Sequence, residues 1–178
     1  MRTGRPPLVR ALLIAAVLVV TGCGAPVSPA GAPPVELGPT DQAFADLVIP
    51  QNESALAALA LTADRPGSSL RPVADRVSSR YRDELAQVRT LLAQAGRPES
   101  DQHDGHDMPG MITAAERAAV GYAQGADFDE QLKVLLRAQF EEARTVARAE
   151  MASGKSTPLL ELSAHIDSTR AEFLTLLK

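Results

Sequence analysis

The sequence predicts an all-α protein, an antiparallel four-helix bundle built from two helix hairpins with a short helix in the crossover between them. Three observations carry that expectation. Apolar residues recur at spacings of three and four in four separate segments after residue 40, the period that lays them along one face of a helix. Alternating, β-branched stretches of the kind that make strands are nearly absent. Capping residues and Gly or Pro breakers fall between the periodic segments.

The first segment is capped by Thr40 or Asp41 and carries the stripe Phe44, Val48, Gln51, Ala55 and Leu59. Pro50 lies inside it, and a proline ring both removes an N–H and crowds the preceding turn, so a kink or a restart is expected there. The second opens at Ser68 or Ser69 with Pro72 in its first turn. Val73, Val77, Tyr81, Leu85, Val88 and Leu92 share a face until Gly96-Arg97-Pro98 ends the helix. Glu99 to Met111 is polar and bears Gly and Pro, hence a loop. Thr113 with Glu116 has the form of a capping box for a short helix ending near Gly121, and Asp127 with Glu130 repeats the device at the next start. The third long stripe is Leu132, Leu135, Gln139, Ala143 and Val146, stopped at Gly154. Thr157-Pro158 starts the fourth, with Leu159, Leu162, Ile166, Thr169, Phe173 and Leu176. Aromatic residues are 3% of the chain, so the core should be Leu, Val, Ala and Ile with Phe44, Tyr81, Phe128 and Phe173 as its larger members. The two halves also align at a constant offset that matches Gln51 with Gln139, Glu53 with Glu141, Ala55 with Ala143, Glu84 with Glu172 and Leu85 with Phe173. That offset fits a duplicated hairpin and a pseudo-twofold axis, or chance identity among common helix residues.

The beginning of the chain has a different character. Arg2, Arg5 and Arg10 precede or open the unbroken apolar run Ala11 to Val20, which leads into Val20-Thr21-Gly22-Cys23. A basic region, a short apolar region and a small-residue cleavage site make residues 1–22 a signal peptide of lipoprotein type. A run of about 10 apolar residues is too short to cross a hydrocarbon layer of about 30 Å as a helix. The thiol of Cys23 is then the expected lipidation site, the alternative being an ordinary cleaved leader with a chance cysteine. Two or more acyl chains hold a protein stably on a membrane where one does not. Residues 23–40 read as the lipidated cysteine and a Pro/Ala/Gly tether, and residues 41–178 as the bundle domain. The expected location is the extracytoplasmic face of the cell membrane.

Charge and cysteine usage narrow the function. The formal net charge of the whole chain is −4, and loss of the leader's three arginines makes it more negative still, so with no basic stripe a nucleic acid is not an expected partner. The single cysteine, once lipidated, leaves no thiol for a disulfide or a thiolate metal site. There is no Gly-rich phosphate loop, no His-Glu-x-x-His and no nucleophile elbow, and the paired Glu-x-x-His motifs of di-iron bundles are missing, so an enzyme is not expected. His165, one turn after Glu161, reads as a boundary histidine paired with that carboxylate.

Four sequence elements carry a family likeness: Val48-Ile49-Pro50-Gln51-Asn52-Glu53, Met108-Pro109-Gly110-Met111, Phe128-Asp129 and Ala138-Gln139-Phe140-Glu141. In this order and setting they resemble the exported, ferritin-like four-helix family called domain of unknown function 305, over about Asp41 to Lys178. The family pattern has Met-Ile-Pro-His-His-Glu in the first element and a second His-His-Glu in the last. The resemblance therefore implies a ferritin-like bundle, and it makes the histidine positions the natural metal ligands, with copper associated with some members. Here those positions are Gln51, Asn52, Gln139 and Phe140. Amides are poor ligands for soft metals and a phenyl ring is none, so a core metal site of the family type is not expected. Gln51 and Gln139 are expected to bond each other or a buried water, the alternative being that both lie in solvent.

The remaining ligand-bearing stretch is the linker that holds His103, His106, Met108 and Met111, flanked by Asp101, Asp104 and Asp107. Imidazoles and thioethers are the soft ligands that Cu(I) prefers, and the Asp/His subset suits Cu(II) or Zn(II). The competing reading makes Met108 and Met111 apolar plugs, Pro109-Gly110 a turn, and the histidines solvated. The expected function is that of an envelope-anchored, non-enzymatic binding protein with copper as its leading ligand. The alternative is a structural or interaction module that has lost the family metal site and docks an envelope partner or a second copy of itself.

Overall fold

The computed structural model describes residues 35–99 and 106–178. The leader, Cys23, most of the tether and His103 lie outside the described residues. Among those described there are five α-helices and no strand: α1 (Pro39–Leu59), α2 (Arg71–Gln94), α3 (Ala114–Tyr122), α4 (Gly125–Ser153) and α5 (Thr157–Leu176), with a 3-10 turn at Ala60–Thr62 after α1. No helix among them is long and apolar enough to cross a membrane.

The helix ends follow local chemistry, though not always the expected residue. α1 starts at Pro39, ahead of the predicted caps: Gly38 occupies the cap position, and Asp41 in the first turn accepts its N–H at 2.6 Å. Val35 and Leu37, within the stretch read as tether, already pack on the core. Pro50 lies inside α1, which runs on through it without a restart. Phe44, Ala45, Val48 and Ile49 before it and Ala55, Ala58 and Leu59 after it are all buried, and that packing outweighs one missing hydrogen bond. α2 begins at Arg71 with Pro72 in its first turn. Its end is closed by Gly96 at φ +65, which lets Arg97 N–H reach Leu92 O and Gly96 N–H reach Ala93 O. The capping box of α3 forms as expected, Thr113 N–H to Glu116 at 2.9 Å and Glu116 N–H to Thr113 Oγ1 at 3.2 Å. Ser68 and Ser69 do not cap α2. Their hydroxyls and the Ser69 N–H converge instead on Asp129 in the first turns of α4, and this tie binds the α1–α2 connection to the start of α4.

α1 packs against α2 and α4, α5 packs against α4 and α2, and α3 lies on α4. Asp41 at the start of α1 accepts from Lys155 and Ser156 between α4 and α5, while Arg65 beyond the end of α1 reaches Gly121 O at 2.6 Å just before α4. α1 and α4 therefore run in opposite directions. An ion pair between Arg76 near the start of α2 and Glu172 near the end of α5 gives the same relation for the second pair.

The buried apolar side chains fall into two clusters. One holds Ala55, Ala58, Leu59, Tyr81, Phe128, Leu136, Phe140 and Phe173; the other holds Phe44, Val48, Leu85, Leu92, Ala147, Leu159 and Ile166. On α4 Leu132, Gln139 and Ala143 of the expected stripe are buried, while Leu136 and Ala147 are buried in place of their neighbours Leu135 and Val146, which are half-buried. On α5 Leu176 is exposed, and Arg170 lies buried on the inward face.

Candidate functional site

Each of the four long helices places a polar side chain where one apolar cluster gives way to the other: Asn52 on α1, Glu84 on α2, Gln139 on α4 and Arg170 on α5. All four are essentially without solvent contact. Arg170 donates Nη1 to Glu84 Oε1 at 2.7 Å and Nη2 to Glu84 Oε2 at 2.6 Å, and its Nη2 also reaches Asn52 Oδ1 at 3.0 Å. Asn52 Nδ2 returns a bond to Glu84 Oε2 at 3.0 Å, so both ends of the amide are used within the ion pair. The guanidinium also sits 3.9 Å from the centre of the Tyr81 ring, where the π face favours a cation. Burial works against the Arg170 charge, but Tyr81 and Glu84 beside it raise its pKa above the ordinary value.

The Tyr81 hydroxyl in turn donates to Gln139 Oε1. Burial pushes the phenol pKa upward, which keeps the proton on that bond. Phe140 packs edge-on against Tyr81 at 6.5 Å between centroids and tilted against Phe173 at 5.6 Å.

The four positions at which the likeness implied histidines are therefore all buried, and three of them are part of this layer or its aromatic wall. Asn52 is consumed by an ion pair, Gln139 by a phenol, and Phe140 by ring packing. Gln51, also buried, donates Nε2 to Pro109 O at 2.7 Å and so pins the linker turn to α1. The expected Gln51–Gln139 bond does not form: Gln51 Nε2 donates to the linker carbonyl and Gln139 Oε1 accepts from the buried Tyr81 hydroxyl, while Gln51 Oε1 and Gln139 Nε2 are buried without a protein partner. The solvent-exposed alternative fails as well. A resident metal does not fit this core, where a guanidinium already occupies the charged centre and the donors are amides, a phenol and a phenyl ring.

The linker is disposed differently. His106 is exposed, while Met108 and Met111 are half-buried and joined by the Met111 N–H to Met108 O bond at 3.0 Å, with Pro109-Gly110 as the turn between them. A cavity of about 280 Å³ lies against this turn, with Met111, Leu135, Gln139 and Glu142 among its lining residues. Among the described residues no three His, Cys, Asp or Glu side chains gather as metal ligands. His165 and Glu161 are both exposed, and no hydrogen bond or ion pair joins them.

Sequence reasoning missed Glu84 and Arg170, although a signal was present. Val77, Tyr81, Glu84 and Val88 keep helical spacing on one segment, Ile166, Arg170 and Phe173 on another, and two opposite charges on two inward stripes are an expected ion pair. The same holds for Glu150, which follows Ala143 and Ala147 on the buried face of α4.

Comparison with known proteins supplies the family. Two solved structures resemble the fold: a DUF305 protein from Streptomyces coelicolor that carries the provisional name of a secreted protein, and a DUF305 fragment from Deinococcus radiodurans. The first has a TM-score of 0.71 at 17% identity, covering 78% of this chain and 89% of that one. The second has a TM-score of 0.70 at 19% identity, covering 82% and 95%. No curated protein matches the chain. The family model described as "Domain of unknown function (DUF305)" matches residues 41–178, from the first turn of α1 to the last residue, and the chain belongs to that family.

Proposed function

We propose that this protein is an exported, lipid-anchored member of the family on the extracytoplasmic face of the cell membrane, with a non-enzymatic role in binding a soft metal ion, copper foremost. Its helices are read as a ferritin-like four-helix bundle of two hairpins. The end-to-end relations of α1 with α4 and of α2 with α5 support that reading. Export is supported by the basic and apolar leader, by the small-residue cleavage site Val20-Thr21-Gly22-Cys23 and by the provisional name of the Streptomyces coelicolor relative.

The metal ligands in this reading are His103, His106, Met108 and Met111. The observation that carries it is the position of Met111, which lines an open cavity instead of closing the core as a plug would. With the family histidine positions filled by amides and a ring, the linker keeps the soft donors that the core has lost. Imidazole and thioether side chains within one short stretch of sequence suit Cu(I). Titration of the full chain with Cu(I) is the test: stoichiometric binding is expected, lost in a variant with His103, His106, Met108 and Met111 all replaced by Ala. Equal binding by that variant refutes the assignment.

One observation favours a second reading, that of an interaction module without metal. Tyr122 is 85% exposed and Val134 59% exposed, and Ala119, Val120, Val134 and Leu135 line an apolar groove between α3 and α4. Metal content after purification separates the two readings, since an interaction module carries none in stoichiometric amount.

A further inference from the structure

Two acidic side chains from different helices are buried together at the end of the molecule where α1 begins. Asp41 and Glu150 are 0% and 1% exposed, and their carboxyl groups contact each other. Asp41 is ringed by backbone donors: Gly38 N–H at 2.6 Å to one oxygen, Lys155 N–H at 3.0 Å and Ser156 N–H at 2.9 Å to the other. Neither oxygen of Glu150 has any donor.

This donor count assigns the proton. A carboxyl group whose two oxygens together face three N–H groups gains by being charged, whereas a buried carboxyl without donors gains by being neutral. The contact between the two groups is attractive only when Glu150 carries a hydrogen and donates it to Asp41, because two buried carboxylates in contact repel with no water to screen them. Among the described residues no cation is paired with either carboxyl. No ion pair joins Lys155, the exposed basic residue of the adjoining turn, to either carboxyl, and the remaining partners from α1 and from the α4–α5 turn are backbone amides. The Glu150 carboxyl lies against Gly154, where a Cβ would overlap both Glu150 Oε1 and the Glu150 carbonyl oxygen.

The pair holds three pieces of chain together. Asp41 closes the first turn of α1 through Gly38, binds the α4–α5 turn through Lys155 and Ser156, and touches α4 through Glu150. Val35 and Leu37, immediately before Gly38, pack on the core at this same end. We propose that Asp41 and Glu150 form a proton-dependent clasp, closed when Glu150 is neutral, which fixes the chain entering α1 to the α4–α5 turn and loosens that attachment under alkaline conditions. The elevation of the Glu150 pKa to about 8, by burial first and by Asp41 second, agrees with the donor count.

Hydrogen exchange of the Gly38, Lys155 and Ser156 amides in the full chain tests this, after correction for the intrinsic rise of exchange with pH. Protection at these three amides is expected to fall at least tenfold between pH 6 and pH 9.5, while amides of Val88 and Ile166 in the middle of α2 and α5 keep theirs. Glu150→Gln, which retains a donor at every pH, is expected to hold its protection across the range. Protection in the wild type that does not change with pH, or a Gln variant that loses it as the wild type does, overturns the clasp. Should Glu150→Gln fail to fold, the carboxyl carbon shift of Glu150 in the wild type decides the matter. A midpoint far above the ordinary carboxylate range upholds the clasp, and one within that range refutes it.

Discussion

The Arg170 guanidinium meets the Glu84 carboxylate in a two-pronged contact, at 2.7 and 2.6 Å, and solvent reaches neither side chain. A buried pair of this kind contributes little over an apolar substitute, yet removing one partner strands the other charge in a low dielectric. Glu84→Leu and Arg170→Met are therefore each expected to cost about 3–5 kcal/mol in urea unfolding, and the double variant much less than the sum. Single variants that unfold at the wild-type midpoint contradict the assignment of a charged core.

Stability should depend on pH in a direction opposite to that of most carboxylates. Glu150 has its pKa pushed up to about 8 by burial and then by Asp41, against an ordinary 4.5. A raised folded-state pKa contributes stability that is complete below the unfolded value and is lost as pH rises through the folded one, so the window runs from about 4.5 to about 8. At 1.36 kcal/mol per unit the loss is on the order of 5 kcal/mol at most. Asp41 moves the other way. Burial opposes its charge, but the N–H groups of Ser156, Gly38 and Lys155 and the Glu150 proton hold its pKa low, and its contribution is lost only on strong acidification. Urea midpoints at pH 5, 7 and 9 are expected to fall in the wild type and to stay level in Glu150→Gln.

The linker turn depends on one glycine. Gly110 has φ +77, and a Cβ there would lie 2.7 Å from Gln51 Nε2 and 2.9 Å from Glu142 Cγ. Gly110→Ala combines left-handed strain of about 1–2 kcal/mol with a clash that must push the turn off α1. A loss of about 2–4 kcal/mol is expected, together with weaker Cu(I) binding if Met108 and Met111 act jointly. Gly96, at φ +65 with open space around it, provides the control: its alanine variant should lose only the strain, about 1–2 kcal/mol. Thermal melting of the two variants side by side checks the difference.

Anchoring is testable at one atom. Labelled palmitate is expected to enter the wild-type chain and not Cys23→Ala, with the variant recovered free of the membrane after cell fractionation. Label in the variant removes the thiol as the site.

Periodicity in the sequence was enough for the all-helical class, for four long helices and a short one, and for the capping box at Thr113 and Glu116, since local hydrogen bonding and the face of a helix are set by residues three and four apart. The family elements were equally legible, because short motifs keep their order whatever the helices do in space. Tertiary structure alone decided where the polar groups went. Ser68 and Ser69 look like caps until Asp129 comes near, Gln51 and Gln139 look like partners until the packed helices set one beside Pro109 and the other beside Tyr81, and Pro50 looks like a break until its neighbours are buried on both sides. Glu84 and Arg170, distant in the chain, are tolerable inside only as a pair, and Glu150 only beside Asp41. A buried charge or amide is stabilised by whichever group is brought within about 3 Å of it, and that proximity is a property of packed helices, not of any one segment.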